Sequence, residues 1–226
     1  TNIVTDGDGH WQYDFMPSDL QSFDVEVNHP EFKTTRAALS VASYTLNDQS
    51  AGTQRLVMQK GLTVSGTIVD SEGKPIAGAL VRTKYLNDLR SALTDANGKY
   101  KLSDCEPVVA EIVASAAGKA VDMQEVQVEA DMQPVDFTLQ AGGHVRVRVV
   151  DENNDPIPRA RIFFQRWRTP RYNYFEFDHV NGYADDQGIW EWNEAPLDEF
   201  EADICRPGGM QLGKQKLIAR AEEYVF

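Results

Sequence analysis

The chain has 226 residues, 42% hydrophobic and 25% charged, the balance of an ordinary folded protein and a length that suits two or three domains with cores of their own. Its 35 acidic against 22 basic side chains leave a formal charge of −13, which repels phosphate backbones and excludes the electrostatic footprint of a nucleic-acid binder. No stretch approaches the roughly 18 consecutive apolar residues of a membrane-spanning helix, and the opening TNIVTDGDGHW lacks the parts of a signal peptide.

The first element is a turn in TDGDGHWQY from Thr5, where Gly9 supplies positive φ and Asp6 bonds its own backbone. Trp11, Tyr13 and Phe15, then Phe23, Val25 and Val27, alternate with polar residues at period two and predict strands with one face in a core. LVMQKG ends at Gly61, near the first module joint. VDSEGKPIAGALV from Val69 predicts two strands joined by a turn at Gly73 and Pro75, and TDANGKYKL from Thr94 predicts a hairpin turning at Gly98. SAAGKAVDMQEV comes nearest to a helix, weakened by its glycine and β-branched residues.

FTLQAG ends at Gly142, the second joint. Val145, Val147 and Val149 alternate with arginines, VDENNDPIPRARI from Val150 predicts a second strand-turn-strand, and ADDQGIWEW from Ala184 a further hairpin with Trp190 and Trp192 in the core.

These patterns repeat. Asp6 to Asp95 is 89 positions and Asp95 to Asp185 is 90, the size of an immunoglobulin-like sandwich. Asp70, Pro75, Ile76 and Ala79 return as Asp151, Pro156, Ile157 and Ala160 at an offset of 81, so the last repeat carries an insertion of about nine residues within 165–183. The expected architecture is all-β: tandem β-sandwich modules over residues 1–60, 61–140 and 141–226, joined tightly enough to make a semi-rigid rod. The first module lacks the strands that ought to precede its TDxxG turn, and the open edge this leaves is expected to pair with another chain.

Residues 61–140, with GTIVDSEGKPIAGALVRT, TDANGKYKL and the closing DFTLQAG, resemble the carboxypeptidase regulatory-like domain, a module of transthyretin-like (prealbumin-like) fold. Residues 141–226 depart from it, with Asn154 where the family usually has glycine and Arg159 where it often has another; residues 1–60 match only its latter half. The resemblance implies about seven strands in two sheets, a non-catalytic accessory unit, and a place on secreted, periplasmic or cell-surface proteins of bacteria. It supplies no catalytic residues and no cofactor.

The residues themselves offer little chemistry. His10, His29, His144 and His179 have no metal-ligand spacing, and Cys105 and Cys205 read as two buried free thiols. The acidic loops at Asp6 and Asp8, Asp95 and Asn97, and Asp185 and Asp186 offer oxygen ligands, but without a distal bidentate Glu they read as Asx turns, so no metal is expected.

The insertion FFQRWRTPRYNYFEFDHVNGY is different, because seven of the chain's thirteen arginines fall between Arg146 and Arg171. Trp167, Arg168, Arg171, Tyr172 and Tyr174 there form the candidate ligand site, since aromatic faces beside guanidinium groups stack on sugars or clamp acidic groups. Against this, the aromatics extend the core and cover a lengthened hairpin while the arginines balance surface acids. The expected function is a non-catalytic structural or interaction array with a protein partner. The alternatives are polysaccharide binding through the insertion, and service as accessory domains to an enzyme or membrane sensor elsewhere in the protein.

Overall fold

The computed structural model describes residues 3–12, 22–29, 32–40, 55–83, 90–168, 182–209 and 211–226, and every regular element among them is a strand. Contacts divide the chain into two units, Thr1–Gly61 and Leu62–Phe226.

In the first unit, β1 (Ser22–His29) pairs antiparallel with β2 (Phe32–Ser40), Phe23 opposite Leu39 and Val25 opposite Ala37. Phe23, Val25 and Val27 are half-buried while Asp24 and Glu26 are exposed, which is the alternation a pleated strand imposes on this pattern. Trp11 and Gln12 are not in a strand, and Tyr13 and Phe15 lie outside the described residues.

The second unit opens with a sandwich of seven strands. β3 (Leu62–Asp70), β6 (Lys99–Cys105) and β9 (Phe137–Leu139) form one sheet in the order β6-β3-β9, with β3 and β9 parallel. β4 (Leu80–Thr83), β5 (Ser91–Leu93), β7 (Val109–Ser115) and β8 (Asp122–Gln127) form the other in the order β5-β4-β7-β8. Val64, Ile68, Val81, Leu102, Ile112, Phe137 and Leu139 fill the space between, none more than 2% exposed. The nearest candidate for a helix, SAAGKAVDMQEV, is a turn running into β8, because Met123 and Val126 pair with Val113 and Ala110 of β7.

A second sandwich follows in the same unit. β10 (Gly143–Arg148), β12 (Ile189–Ala195) and β15 (Tyr224–Val225) form the order β12-β10-β15, and β11 (Arg161–Trp167), β13 (Phe200–Cys205) and β14 (Gln211–Leu217) the order β11-β13-β14. Its core is aromatic: the Phe164 ring lies 4.9 Å from Trp192 and 5.2 Å from Phe200. Trp190 and Trp192, 2% and 3% exposed, are core residues.

One exchange distinguishes the two cores. Gly66 sits opposite Tyr100, and a Cβ there would come within 2.0 Å of the Val135 carbonyl that accepts the Tyr100 hydroxyl at 2.6 Å. In the following sandwich Val147 sits opposite Trp190, so a side chain fills the place of the glycine.

Among the described residues one turn recurs five times. In each, a single Asp Oδ1 accepts backbone N–H groups two and four residues on: Asp6 from Asp8 and His10, Asp70 from Glu72 and Lys74, Asp95 from Asn97 and Lys99, Asp151 from Asn153 and Asp155, Asp185 from Gln187 and Ile189, all at 2.8–3.0 Å. The residue three after each Asp has positive φ: Gly9, Gly73, Gly98 and Gly188, and in the fourth turn Asn154 at 64°. Arg159, at 55°, likewise matches Gly78 at 72°. Both departures from the glycine pattern therefore keep the left-handed backbone that the glycine served.

Candidate functional site

Between the two sandwiches of the second unit the chain crosses at Gln140–Gly143, and backbone bonds tie the crossing down. Ala120 N–H donates to the Gln140 carbonyl, Gly142 N–H to the Gly118 carbonyl, and Val121 N–H to the Glu194 carbonyl, each at 3.0 Å. Gly142 and Gly143 are required here, because a Cβ on them would come within 2.1 Å of the Asn193 carbonyl and 2.6 Å of the Ala219 side chain.

Strand parity builds the apolar part of the joint. Along β7, Ala110, Ile112 and Ala114 enter the core of their own sandwich. Val113 has the opposite parity, and it pairs across the ladder with Met123. Val113, Val121 and Met123 are 2%, 2% and 4% exposed because they join the hydrophobic cluster of the following sandwich, with Trp167, Trp192 and Phe200. Fully burying each such side chain is worth about 1.5–3 kcal/mol.

Arg168, just past the end of β11, supplies the polar part. Its Nε donates to Asp198 Oδ2 at 2.7 Å and its Nη2 to Asp198 Oδ1 at 3.1 Å, a bidentate fork within its own sandwich. Its Nη1 reaches across to the preceding sandwich, to Asp122 Oδ1 and, at 2.8 Å, to the Met123 carbonyl. The guanidinium carbon lies 4.8 Å from the Trp167 ring centroid, and Trp167 Nε1 donates to Asp198 Oδ1 at 3.0 Å.

The electrostatics favour the charged forms. Burial opposes the Arg168 charge, but the bonds to Asp198 and Asp122 outweigh it and hold the proton more tightly than usual. Burial likewise pushes the Asp198 carboxyl up, and the bonds from Arg168 and Trp167 bring it below its ordinary value.

Of the five residues expected to bind a ligand, Trp167 is 3% exposed and Arg168 is engaged with Asp198, Asp122 and Met123, so both contribute to holding two sandwiches together. Arg171, Tyr172 and Tyr174 lie outside the described residues. Asp122, Asp198, Val113 and Met123 escaped the sequence reading. On the parity of Val113 in VVAEIVAS, Val109 alternates with Glu111 and Ser115, so residue order does not mark this face as covered.

Cys105 and Cys205 are buried thiols outside any disulfide, with the Cys205 thiol pushed up by burial. Asp6, Asp8 and His10 bring ligand atoms within 4.8 Å of one another on an exposed turn, where Asp6 Oδ1 already accepts two backbone N–H groups. Among the described residues no helix is long and apolar enough to cross a membrane.

Comparison with solved structures finds similarity to a cohesin–X-dockerin complex from Acetivibrio cellulolyticus (24% identity over 37% of this chain and 60% of that one, TM-score 0.32). A streptococcal ancillary pilin matches at 13% identity over 89% of this chain and 72% of that one, with TM-score 0.34. The shaft pilin SpaA of Lactobacillus rhamnosus GG matches at 11% identity over 74% and 96%, with TM-score 0.31. No curated protein matches the chain. The model of the carboxypeptidase regulatory-like domain matches residues 63–140, and the sandwich built by β3 to β9 belongs to that family.

Proposed function

We propose that the chain is a non-catalytic structural or interaction array from a larger secreted, periplasmic or surface protein of a bacterium. The observation that carries this reading is the joint: Val113, Val121 and Met123 enter the neighbouring core and Arg168 grips a carboxylate on each side. A linker without such a joint would let adjoining domains reorient. Here residues 62–226 present two sandwiches in one fixed orientation, as a spacer or a composite binding surface needs. The membership of residues 63–140 in a regulatory-like family agrees with an accessory role.

Small-angle scattering and backbone NMR relaxation on the whole chain test the reading. Residues 62–141 and 142–226 should share one rotational correlation time, and independent tumbling would end the proposal.

A second reading, polysaccharide binding, now rests on Arg171, Tyr172 and Tyr174, because Trp167 is buried and Arg168 is engaged in the joint. The density of arginine and tyrosine in this insertion supports it. Retention of the protein on a glycan array, lost in Tyr172→Ala and Tyr174→Ala, is its expected signature; no retention on any glycan would dismiss it.

A further inference from the structure

Ladder registers allow the outer faces of the two sandwiches in the second unit to be compared residue by residue. Ala79 and Ala160 occupy the same place in the repeated motif, so Arg82 and Phe163 correspond. Arg82 pairs with Val113, which pairs with Met123; Phe163 pairs with Asp203, which pairs with Lys214. One step along, Ala114 pairs with Asp122 and Ile204 with Gly213.

Three elements of the joint are therefore replaced in the later sandwich. Asp203 stands where Val113 does, Lys214 where Met123 does, and Gly213 where the Arg168 partner Asp122 does. We infer that the sandwich of β3 to β9 carries a docking socket for a following sandwich, and that the sandwich of β10 to β15 closes the stack because its corresponding face has exchanged that socket for a buried aspartate, Asp203, beside the ionised Lys214.

The chemistry of the exchange sets the direction. An incoming sandwich end brings apolar surface and an arginine. On Val113 and Met123 it buries apolar area, and in Asp122 it meets a carboxylate. On the later face it would strip water from Lys214, whose Nζ lies 3.6 Å from Glu201, and Gly213 offers the arginine no side-chain acceptor. Repeat arrays need such polar ends to stop association from propagating.

The inference rests on the reading of residues 62–226 as a docked pair, and two measurements separate the two claims. In the first, a copy of residues 138–226 is appended after Phe226, because Phe226 holds the place against β10 that Phe137 holds against β3. NMR relaxation should show the appended sandwich tumbling on its own while 62–226 stays docked; an appended sandwich sharing the correlation time of the rest would overturn the inference and leave the docked pair intact. Independent tumbling of 62–141 and 142–226 in the native chain would instead sink the underlying reading, and the inference with it.

In the second measurement the native chain carries Val113→Asp with Met123→Lys, the pair that the later sandwich already accommodates on its own face. Residues 142–226 should then lose the shared correlation time, with the scattering envelope extended. A joint that stays closed in this variant overturns the inference. Where the variant loses the sandwich itself, read from the near-ultraviolet dichroism, the extended chain decides.

Discussion

Arg168 and Asp122 stand 46 positions apart and belong to different sandwiches, yet the guanidinium of one donates directly to the carboxylate of the other. The same guanidinium grips Asp198 in its own sandwich, so one side chain couples the order of both.

Arg168→Ala should therefore destabilise the docked pair. Hydrogen bonds to charged groups are worth about 1.5–3 kcal/mol when buried. The Arg168 side chain keeps 38% of its exposure, so screening brings the expected loss to about 1–2 kcal/mol. Arg168→Lys should fall between, because an ammonium keeps the charge but not the fork. Denaturant titration of the three proteins checks the order, and equal stability of wild type and alanine variant would refute it.

The recurrent turns discriminate among glycines. A Cβ at Gly98 would meet the Ile68 carbonyl at 2.4 Å and one at Gly188 the Val149 carbonyl at 2.5 Å, both at positive φ, whereas nothing lies within 4 Å of one at Gly73. Gly73→Ala should cost about 1–2 kcal/mol, the left-handed backbone penalty alone. Gly98→Ala and Gly188→Ala should each lose more, since backbone must also shift. Thermal unfolding of the three variants gives the ranking.

Asn154 and Arg159 invert that experiment. Arg159→Gly should raise stability by up to about 1 kcal/mol, relieving left-handed strain partly offset by greater freedom of the unfolded chain. Asn154→Gly should change it by less, because asparagine tolerates this conformation. A fall in melting temperature for Arg159→Gly would show that its guanidinium, 5.8 Å over the Tyr183 ring, matters more than its backbone.

Acid should weaken the turns in a defined window. The Asp6, Asp70 and Asp95 carboxyls sit below their ordinary 3.8, chiefly through the backbone N–H groups of His10, Lys74 and Lys99. A depressed folded pKa adds stability above the unfolded value, and that contribution fades as pH falls below 3.8 toward the folded values. Asp203 behaves oppositely: burial raises its carboxyl above 3.8, so its contribution is present in acid and lost as pH rises through the raised value. Carboxyl carbon shifts followed by NMR should place the midpoints of Asp70 and Asp95 below, and that of Asp203 above, the free-aspartate value.

The turns were legible because their causes are local: an Asp, two N–H groups within four residues, and one residue able to hold positive φ. The inward parity of Val145, Val147 and Val149 was legible for a similar reason, since alternation along a strand is written in consecutive residues. The first unit shows the limit of such reading, for Trp11 follows its turn with the right spacing and stands outside any strand.

The role of Trp167 and Arg168 was left open by the sequence because their partners are distant. Trp167 and Arg168 stood out by type, and type alone suits a sugar platform as well as a clamp. Asp198 and Asp122, 30 and 46 positions away, decide between those uses for Arg168, and no periodicity links them to it. Residue order by itself determined the repeats, the turns and the inward faces, all of them set by interactions within a few positions. Only the tertiary structure decided which outward face is covered, because that depends on where a neighbouring sandwich comes to rest, and contacts between surfaces of separate domains leave no regular trace along the chain.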